Sequence, residues 1–145
     1  MRPMKLVLVE DNYAQAESIQ AALRGPFPGV AVDVISTESE FHHRISSYCS
    51  SPPDGVVLDM MFRWCNANEM IAAPTDVLNA TSTAGVRCIN LLRHLGLTSP
   101  VVVYTVLDWS DVREELAAEG DQVRFVPKQG SFSELVAALK ELIGK

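Results

Sequence analysis

Five residues far apart along the chain carry groups that could do chemistry together. Glu10 and Asp11 end one apolar run, Asp59 ends a second, Thr105 ends a third, and Lys128 follows a fourth. An ionised carboxylate such as Asp59 is costly to bury unless a cation or hydrogen-bond donors meet it. Three neighbouring carboxylates repel and raise one another's pKa values. A divalent cation removes that penalty. Mg²⁺ takes hard oxygen ligands in an octahedron, usually one or two carboxylates with waters and a phosphate. Asp11 and Asp59 suit direct ligation, with Glu10 holding a bound water. The chemistry such a set supports is phosphoryl transfer to Asp59, in which positioning and electrostatics supply nearly all the catalysis. Lys128 offers a compact positive charge to the phosphoryl oxygens, and Thr105 offers a hydroxyl donor. Each residue alone has a plainer reading: a solvated acidic turn, a helix N-cap, a strand-end hydroxyl, a loop lysine. Their shared position at strand ends is what favours the site.

The elements that must position them follow from hydrophobic patterning. Leu6–Val9 is wholly apolar and reads as a strand buried on both faces. A helix carrying Ala16, Ile19 and Leu23 follows, and Gly25-Pro26 stops it. Val30, Val32 and Val34 alternate with Ala31 and Asp33, the pattern of a less buried edge strand. Thr37 and Glu40 read as a capping box for a helix with Phe41, Ile45 and Tyr48 on one face, which Pro52-Pro53 closes. Gly55–Met60 is the strand that delivers Asp59. A third helix runs from Gly85 through Cys88, Leu91, Leu92 and Leu95 to Gly96. Pro100 opens the strand ending at Thr105. A fourth helix begins near Ser110 and stops at Gly120. Gln122–Val126 contains Arg124 and reads as the other edge. Ser131 and Glu134 read as a second capping box, ahead of an amphipathic stripe from Phe132 to Ile143. Five strands alternating with five helices imply an α/β fold with a parallel sheet covered on both faces. With the two most polar strands at the edges, the order is 2-1-3-4-5, the flavodoxin-like doubly wound arrangement. Ligands in such sheets bind beyond the carboxyl ends of the strands at the switch point, where all five residues fall.

Residues 62–84 break the alternation. Strand-to-helix loops usually run about 2–6 residues, so this stretch reads as a functional insertion or a short helix plus loop. Phe62, Trp64, Met70 and Ile71 make it too apolar for a free loop, and the expectation is that it packs over the pocket or presents a partner surface. His42, His43 and His94 read as structural, and Cys65 as a semi-buried thiol.

Size and composition bound the rest. With 145 residues, 48% of them hydrophobic, the chain reads as one domain spanning 1–145 with a real core. The net charge of −6 argues against a direct nucleic-acid surface. No apolar run is long enough to cross a bilayer, and the N-terminus runs straight into a strand, leaving no room for a signal peptide. Three cysteines without a CxxC pair fit reduced thiols and a cytoplasmic setting.

The motifs Val7-Leu8-Val9-Glu10-Asp11-Asn12, Val57-Leu58-Asp59-Met60, Val103-Tyr104-Thr105 and Phe125-Val126-Pro127-Lys128 resemble, in order and rough spacing, the four signatures of a response-regulator receiver domain of two-component signalling. The resemblance covers nearly the whole chain except 62–84. It implies that Glu10 and Asp11 are the acidic pair of an Mg²⁺ site, that the backbone carbonyl of Met61 is a further metal ligand, and that Asp59 takes phosphate from a sensor histidine kinase or a histidine phosphotransfer protein. It further implies that Lys128 binds the phosphoryl group, that Thr105 is the switch hydroxyl and Phe125 the switch aromatic, and that the fourth helix, fifth strand and fifth helix form the face that partners read. A phosphorylation-dependent homodimer through that face fits the resemblance. The chain departs from the family pattern where Gln129 rather than proline follows the lysine, where the branched Val106 follows Thr105, and in the insertion. The competing readings are an interaction module that works without phosphorylation and an aspartate-nucleophile phosphatase. The second wants a carboxylate two residues after the nucleophile, where this chain has Met61. A flavin site is disfavoured by the acidic first loop, where a phosphate cradle wants Gly, Ser and Thr.

Overall fold

In the computed structural model, residues 3–78, 83–116, 122–128 and 131–144 are described. The elements run β1 (Lys5–Val9), α1 (Tyr13–Arg24), β2 (Ala31–Ile35), α2 (Glu38–Arg44) continued by a 3₁₀ turn (Ile45–Cys49), β3 (Gly55–Leu58), a short α3 (Thr75–Leu78), α4 (Ala84–His94), β4 (Val101–Thr105), α5 (Trp109–Leu116), β5 (Val123–Pro127) and α6 (Ser133–Ile143). The strands are all parallel, in the order β2-β1-β3-β4-β5. This is the flavodoxin-like winding, with the two polar strands at the edges.

The three central strands are continuously apolar over Leu6–Val9, Val56–Leu58 and Val101–Val103 because both faces of the sheet are covered there. Strict alternation sorts their side chains. Val7, Val9, Val56, Leu58, Val101 and Val103 face Phe41, Ile45 and Tyr48 of the α2 segment, Ile89 and Leu92 of α4, and Leu116 of α5. Leu6, Leu8, Val57, Val102, Tyr104 and Val126 face Ile19 and Leu23 of α1 and Leu135, Leu139 and Leu142 of α6. A one-residue slip of any central strand would exchange these two sets.

Helix ends place the loops at the carboxyl rim. Asn12, directly after the acidic pair, caps α1 by accepting the Gln15 N–H at 2.9 Å. Thr37 caps α2 by accepting the Glu40 N–H at 3.2 Å, and the Glu40 carboxylate accepts the Ser36 N–H at 3.2 Å. The expected reciprocal box therefore closes one residue earlier than its pattern suggests. The C-terminus of α4 is a Schellman turn: Gly96 adopts φ +80°, its N–H donates to the Arg93 carbonyl, and the Leu97 N–H donates to the Leu92 carbonyl. Gly85 lets the start of α4 lie against the segment after β3, since a Cβ there would stand 2.6 Å from the Asp59 carbonyl oxygen and 2.8 Å from Met60 Cα.

Two expectations need correcting. The box at Ser131 and Glu134 does not form. Helix α6 starts at Ser133 behind Phe132, one residue later than the pattern requires, and the Ser131 hydroxyl pairs with the Ser133 hydroxyl at 2.8 Å. Inside the insertion lies the short helix α3, in keeping with the helix-plus-loop reading of residues 62–84. Of the two expectations for the apolar residues of the insertion, packing over the pocket is the one not met. Phe62 packs on the core beside α2 and α4, the Trp64 ring meets His42 edge-on at 5.2 Å, and Met70 and Ile71 are exposed. Within this segment the Trp64 indole N–H donates to the Ile71 carbonyl at 3.0 Å, and the Asn66 N–H donates to the Glu69 carboxylate at 2.9 Å. It is anchored to the start of α2, where the Glu38 and Ser39 N–H groups donate to the Arg63 and Trp64 carbonyls at 2.9 and 2.8 Å. The expected stop at Gly120 and the Gln129 position lie outside the described residues.

Candidate functional site: an acidic pocket closed by a lysine

The pocket forms at the carboxyl ends of β1, β3, β4 and β5. Lys128, one residue beyond β5, is placed by its backbone N–H, which donates to the Thr105 carbonyl at 2.8 Å. Its ammonium then bridges two carboxylates, reaching Asp59 Oδ2 at 2.7 Å and Glu10 Oε1 at 2.6 Å. These three residues come from positions as much as 118 apart in the chain. Their side chains are only 12% (Asp59), 4% (Glu10) and 13% (Lys128) exposed, so the charges interact with little screening. Asp59 Oδ1 accepts the Met60 N–H at 2.7 Å and the Met61 N–H at 3.4 Å. Glu10 Oε2 accepts the Asn12 N–H at 3.2 Å.

Thr105 is fully buried at the end of β4, with its hydroxyl oxygen accepting the Leu107 N–H at 3.4 Å. The Tyr104 ring lies 5.7 Å from the Lys128 ammonium. Phe125 is half-buried on β5, opposite Val103, and packs on the core face shared by α2, α4 and α5. Met61 is exposed at the mouth, as is Val106.

Asp11 stands apart from the lysine. Its Oδ2 accepts the Arg63 backbone N–H at 3.2 Å and lies 3.6 Å from the Arg63 Nε. The residues expected in the site thus fall into two groups. Glu10, Asp59 and Lys128 are bonded together beside Thr105, and Asp11 is engaged by the insertion. Adjacent carboxylates need positive charge, and here Lys128 and Arg63 supply it.

Among the described residues no three Asp, Glu, His or Cys side chains are grouped as a ready-made metal cage. The donor chemistry nonetheless fits Mg²⁺, which asks for one or two carboxylates and fills its octahedron with water and phosphate. Asp11 and Asp59 offer hard oxygens, and Glu10 lies beside them.

Sequence reasoning missed Arg63, four residues past Asp59, and a second pair that braces the site from behind. Glu38 is fully buried at the start of α2, and Arg87 of α4 grips both its oxygens at 2.7 Å. His42 lies 3.8 Å from the same carboxylate. No spacing in the sequence pairs Arg87 with Glu38, 49 positions away.

The Lys128 amine has two opposing influences. Burial, the largest, lowers its pKa, but the hydrogen bonds and charges of Asp59 and Glu10 outweigh it and the net displacement is upward. A raised folded-state pKa stabilises the fold fully below the ordinary lysine value, and that stability is lost as pH rises through the folded value. Urea denaturation from neutral into strongly alkaline solution should therefore show a steeper loss for the wild type than for Lys128→Met. Parallel curves would mean that the bridge contributes no stability. Tyr104 is also pushed up, first by burial, so the difference between the two proteins is the informative quantity.

A scan of protein-family models and a search of curated proteins matched nothing. Solved structures match along nearly the whole chain. The non-phosphorylated HemR receiver domain from Leptospira biflexa superposes with TM-score 0.71 at 19% identity, covering 99% of this chain and 96% of that one. A response-regulator receiver domain from Clostridium thermocellum gives 0.69 at 16%, covering 97% and 94%. The receiver domain of a sensor histidine kinase from Pseudomonas aeruginosa, described with a magnesium ion coordinated in its active-site cleft, gives 0.64 at 19%, covering 99% and 100%. The fold is therefore that of the doubly wound α/β proteins with an acidic pocket at the switch point. More narrowly, it is the receiver-domain fold of response regulators. No helix among the described residues is long and apolar enough to cross a membrane.

Proposed function

We propose that residues 1–145 act as one receiver domain, a cytoplasmic phosphoryl-controlled switch in which Asp59 accepts phosphate. The observation that carries this reading is the Lys128 ammonium held between Asp59 and Glu10 at 2.7 and 2.6 Å, directly beside the buried Thr105. The donor is a sensor histidine kinase or a histidine phosphotransfer protein. An Asp59 carboxylate oxygen attacks phosphorus, a new P–O bond forms as the donor's P–N bond breaks, and the imidazole leaves. Lys128 moves from the carboxylates to the incoming phosphoryl oxygens, where a point charge stabilises the spread negative charge. The Thr105 hydroxyl exchanges the Leu107 N–H for a phosphoryl oxygen. Mg²⁺ held by Asp11, Asp59 and the Met61 carbonyl, with Glu10 through water, would neutralise charge during transfer. Movement of Thr105 frees space that Phe125 fills, and the face made by α5, β5 and α6 is read by a partner or by a second copy of the chain.

The test is direct. Adding Mg²⁺ with beryllofluoride should change the intrinsic tryptophan fluorescence and shift the Phe125 ring signals in NMR, and neither should occur with beryllofluoride alone. Spectra indifferent to both additions would favour the reading of an interaction module that works without phosphorylation.

The lifetime of the phosphorylated form follows from the pocket mouth. Met61 and Leu107 lie two residues after Asp59 and Thr105. Both are apolar and offer no group to orient an attacking water, and the branched Val106 beside Thr105 offers none either. Loss of label from purified phosphorylated protein should be slow, with a half-life of many minutes to hours. Polar substitution, as in Met61→Asn, should shorten it. A wild-type half-life of seconds would contradict this account.

A further inference from the structure

The insertion reaches the pocket through Arg63, and it does so by a clamped path. The Arg63 peptide N–H donates to Asp11 Oδ2 at 3.2 Å, and its carbonyl accepts the Glu38 N–H at 2.9 Å. Glu38 cannot shift freely, because its carboxylate is gripped by Arg87 on α4 at 2.7 Å through both oxygens. The next peptide is held in the same way, with the Trp64 carbonyl accepting the Ser39 N–H at 2.8 Å. The backbone of residue 63 is thus fixed between the pocket and the start of α2. Its guanidinium is delivered to the Asp11 carboxylate, with Nε 3.6 Å from Oδ2. Asp11 is the carboxylate that Lys128 leaves unbridged.

We infer that Arg63 is a built-in competitor for the divalent cation, setting the metal affinity of the pocket by pairing with Asp11. The inference rests on the proposed Mg²⁺ site and adds its regulation. A cation bound at Asp11 must displace the guanidinium or share the carboxylate with it, and two positive charges on one carboxylate repel. The competition is intramolecular, so the guanidinium acts at a high effective concentration. Because the side chain is 52% exposed, the pair is screened by solvent and salt, and its effect is modest.

The test is Mg²⁺ binding by the whole chain, read by calorimetry. Removing the guanidinium in Arg63→Gln should tighten Mg²⁺ binding about three- to fivefold at low salt, a range set by the strength of exposed ion pairs. The gain should shrink as salt rises. Arg63→Lys, which keeps the charge but loses the Nε donor, should fall between the two. Arg24→Gln, at the far end of α1, makes the same change in net charge and should leave affinity within about 1.5-fold, because screening falls off over about 10 Å. In the wild type, the Arg63 Nε–H resonance should move on Mg²⁺ addition. Equal affinities for the wild type and Arg63→Gln, or an equal gain in Arg24→Gln, would overturn the inference and leave the metal site standing. No binding by any of these proteins would overturn the metal site itself and the inference with it.

Discussion

Replacing Asp59 with asparagine should abolish phosphoryl uptake. Incubated with acetyl phosphate and Mg²⁺, the wild type should gain the mass of one phosphoryl group, and Asp59→Asn should gain none. An amide oxygen is far too weak a nucleophile to replace the carboxylate, and the acyl phosphate cannot form on it. The same variant should fold normally. Lys128 keeps Glu10 as a partner at 2.6 Å, and the Met60 N–H at 2.7 Å still has an amide oxygen within reach. The loss is one charge-assisted bond in a pocket that loses a like charge as well, so stability should change by no more than about 1.5 kcal/mol. This separates chemistry from folding, because a protein equally stable and unlabelled has lost its acceptor and nothing else. Equal labelling of Asp59→Asn would place the acceptor elsewhere and sink the proposed function.

The largest effect on stability should come from a residue with no part in the chemistry. Arg87→Met removes the cation that grips Glu38, whose side chain is 0% exposed, from a position itself only 20% exposed. Breaking a buried ion pair on one side leaves the other charge without compensation, at a cost of about 3–5 kcal/mol. His42, 3.8 Å from the same carboxylate, is too distant to replace the bidentate grip. Urea denaturation should show this loss as a lower midpoint. A double variant, Glu38→Leu with Arg87→Met, should recover most of it, because no charge is then buried alone. A single-variant loss under about 1 kcal/mol would mean that the pair is solvated in solution. The start of α2 carries the anchor of the insertion, so Arg87→Met should also loosen Arg63. Its Mg²⁺ affinity should move in the direction of Arg63→Gln.

The contrast between these variants reflects two kinds of information. The strands were legible in the sequence because a sheet covered on both faces demands continuous apolar runs, and Leu6–Val9, Val56–Leu58 and Val101–Val103 are such runs. The order 2-1-3-4-5 was legible because edge strands tolerate polar residues. Asp33 on β2 meets Lys5 and Arg44 at 3.8 and 3.5 Å, and Arg124 on β5 pairs with Glu141 of α6 at 2.9 and 3.0 Å. Once strand ends and order are known, right-handed crossovers leave one rim for Glu10, Asp11, Asp59, Thr105 and Lys128. The capping box at Ser131 failed because a capping pattern marks a compatible helix start and says nothing of which start packing selects.

By itself, the sequence determined the doubly wound sheet and the gathering of the acidic residues and Lys128 at its carboxyl rim, because periodicity and chain connectivity are written along the backbone. Only the tertiary structure decided how the charges are shared: Lys128 between Glu10 and Asp59, Arg63 on Asp11 across 52 positions, and Arg87 on Glu38 across 49. Ion pairs follow no period. They depend on distances of a few ångströms between side chains, and those are set only when the helices and the insertion have packed against the sheet.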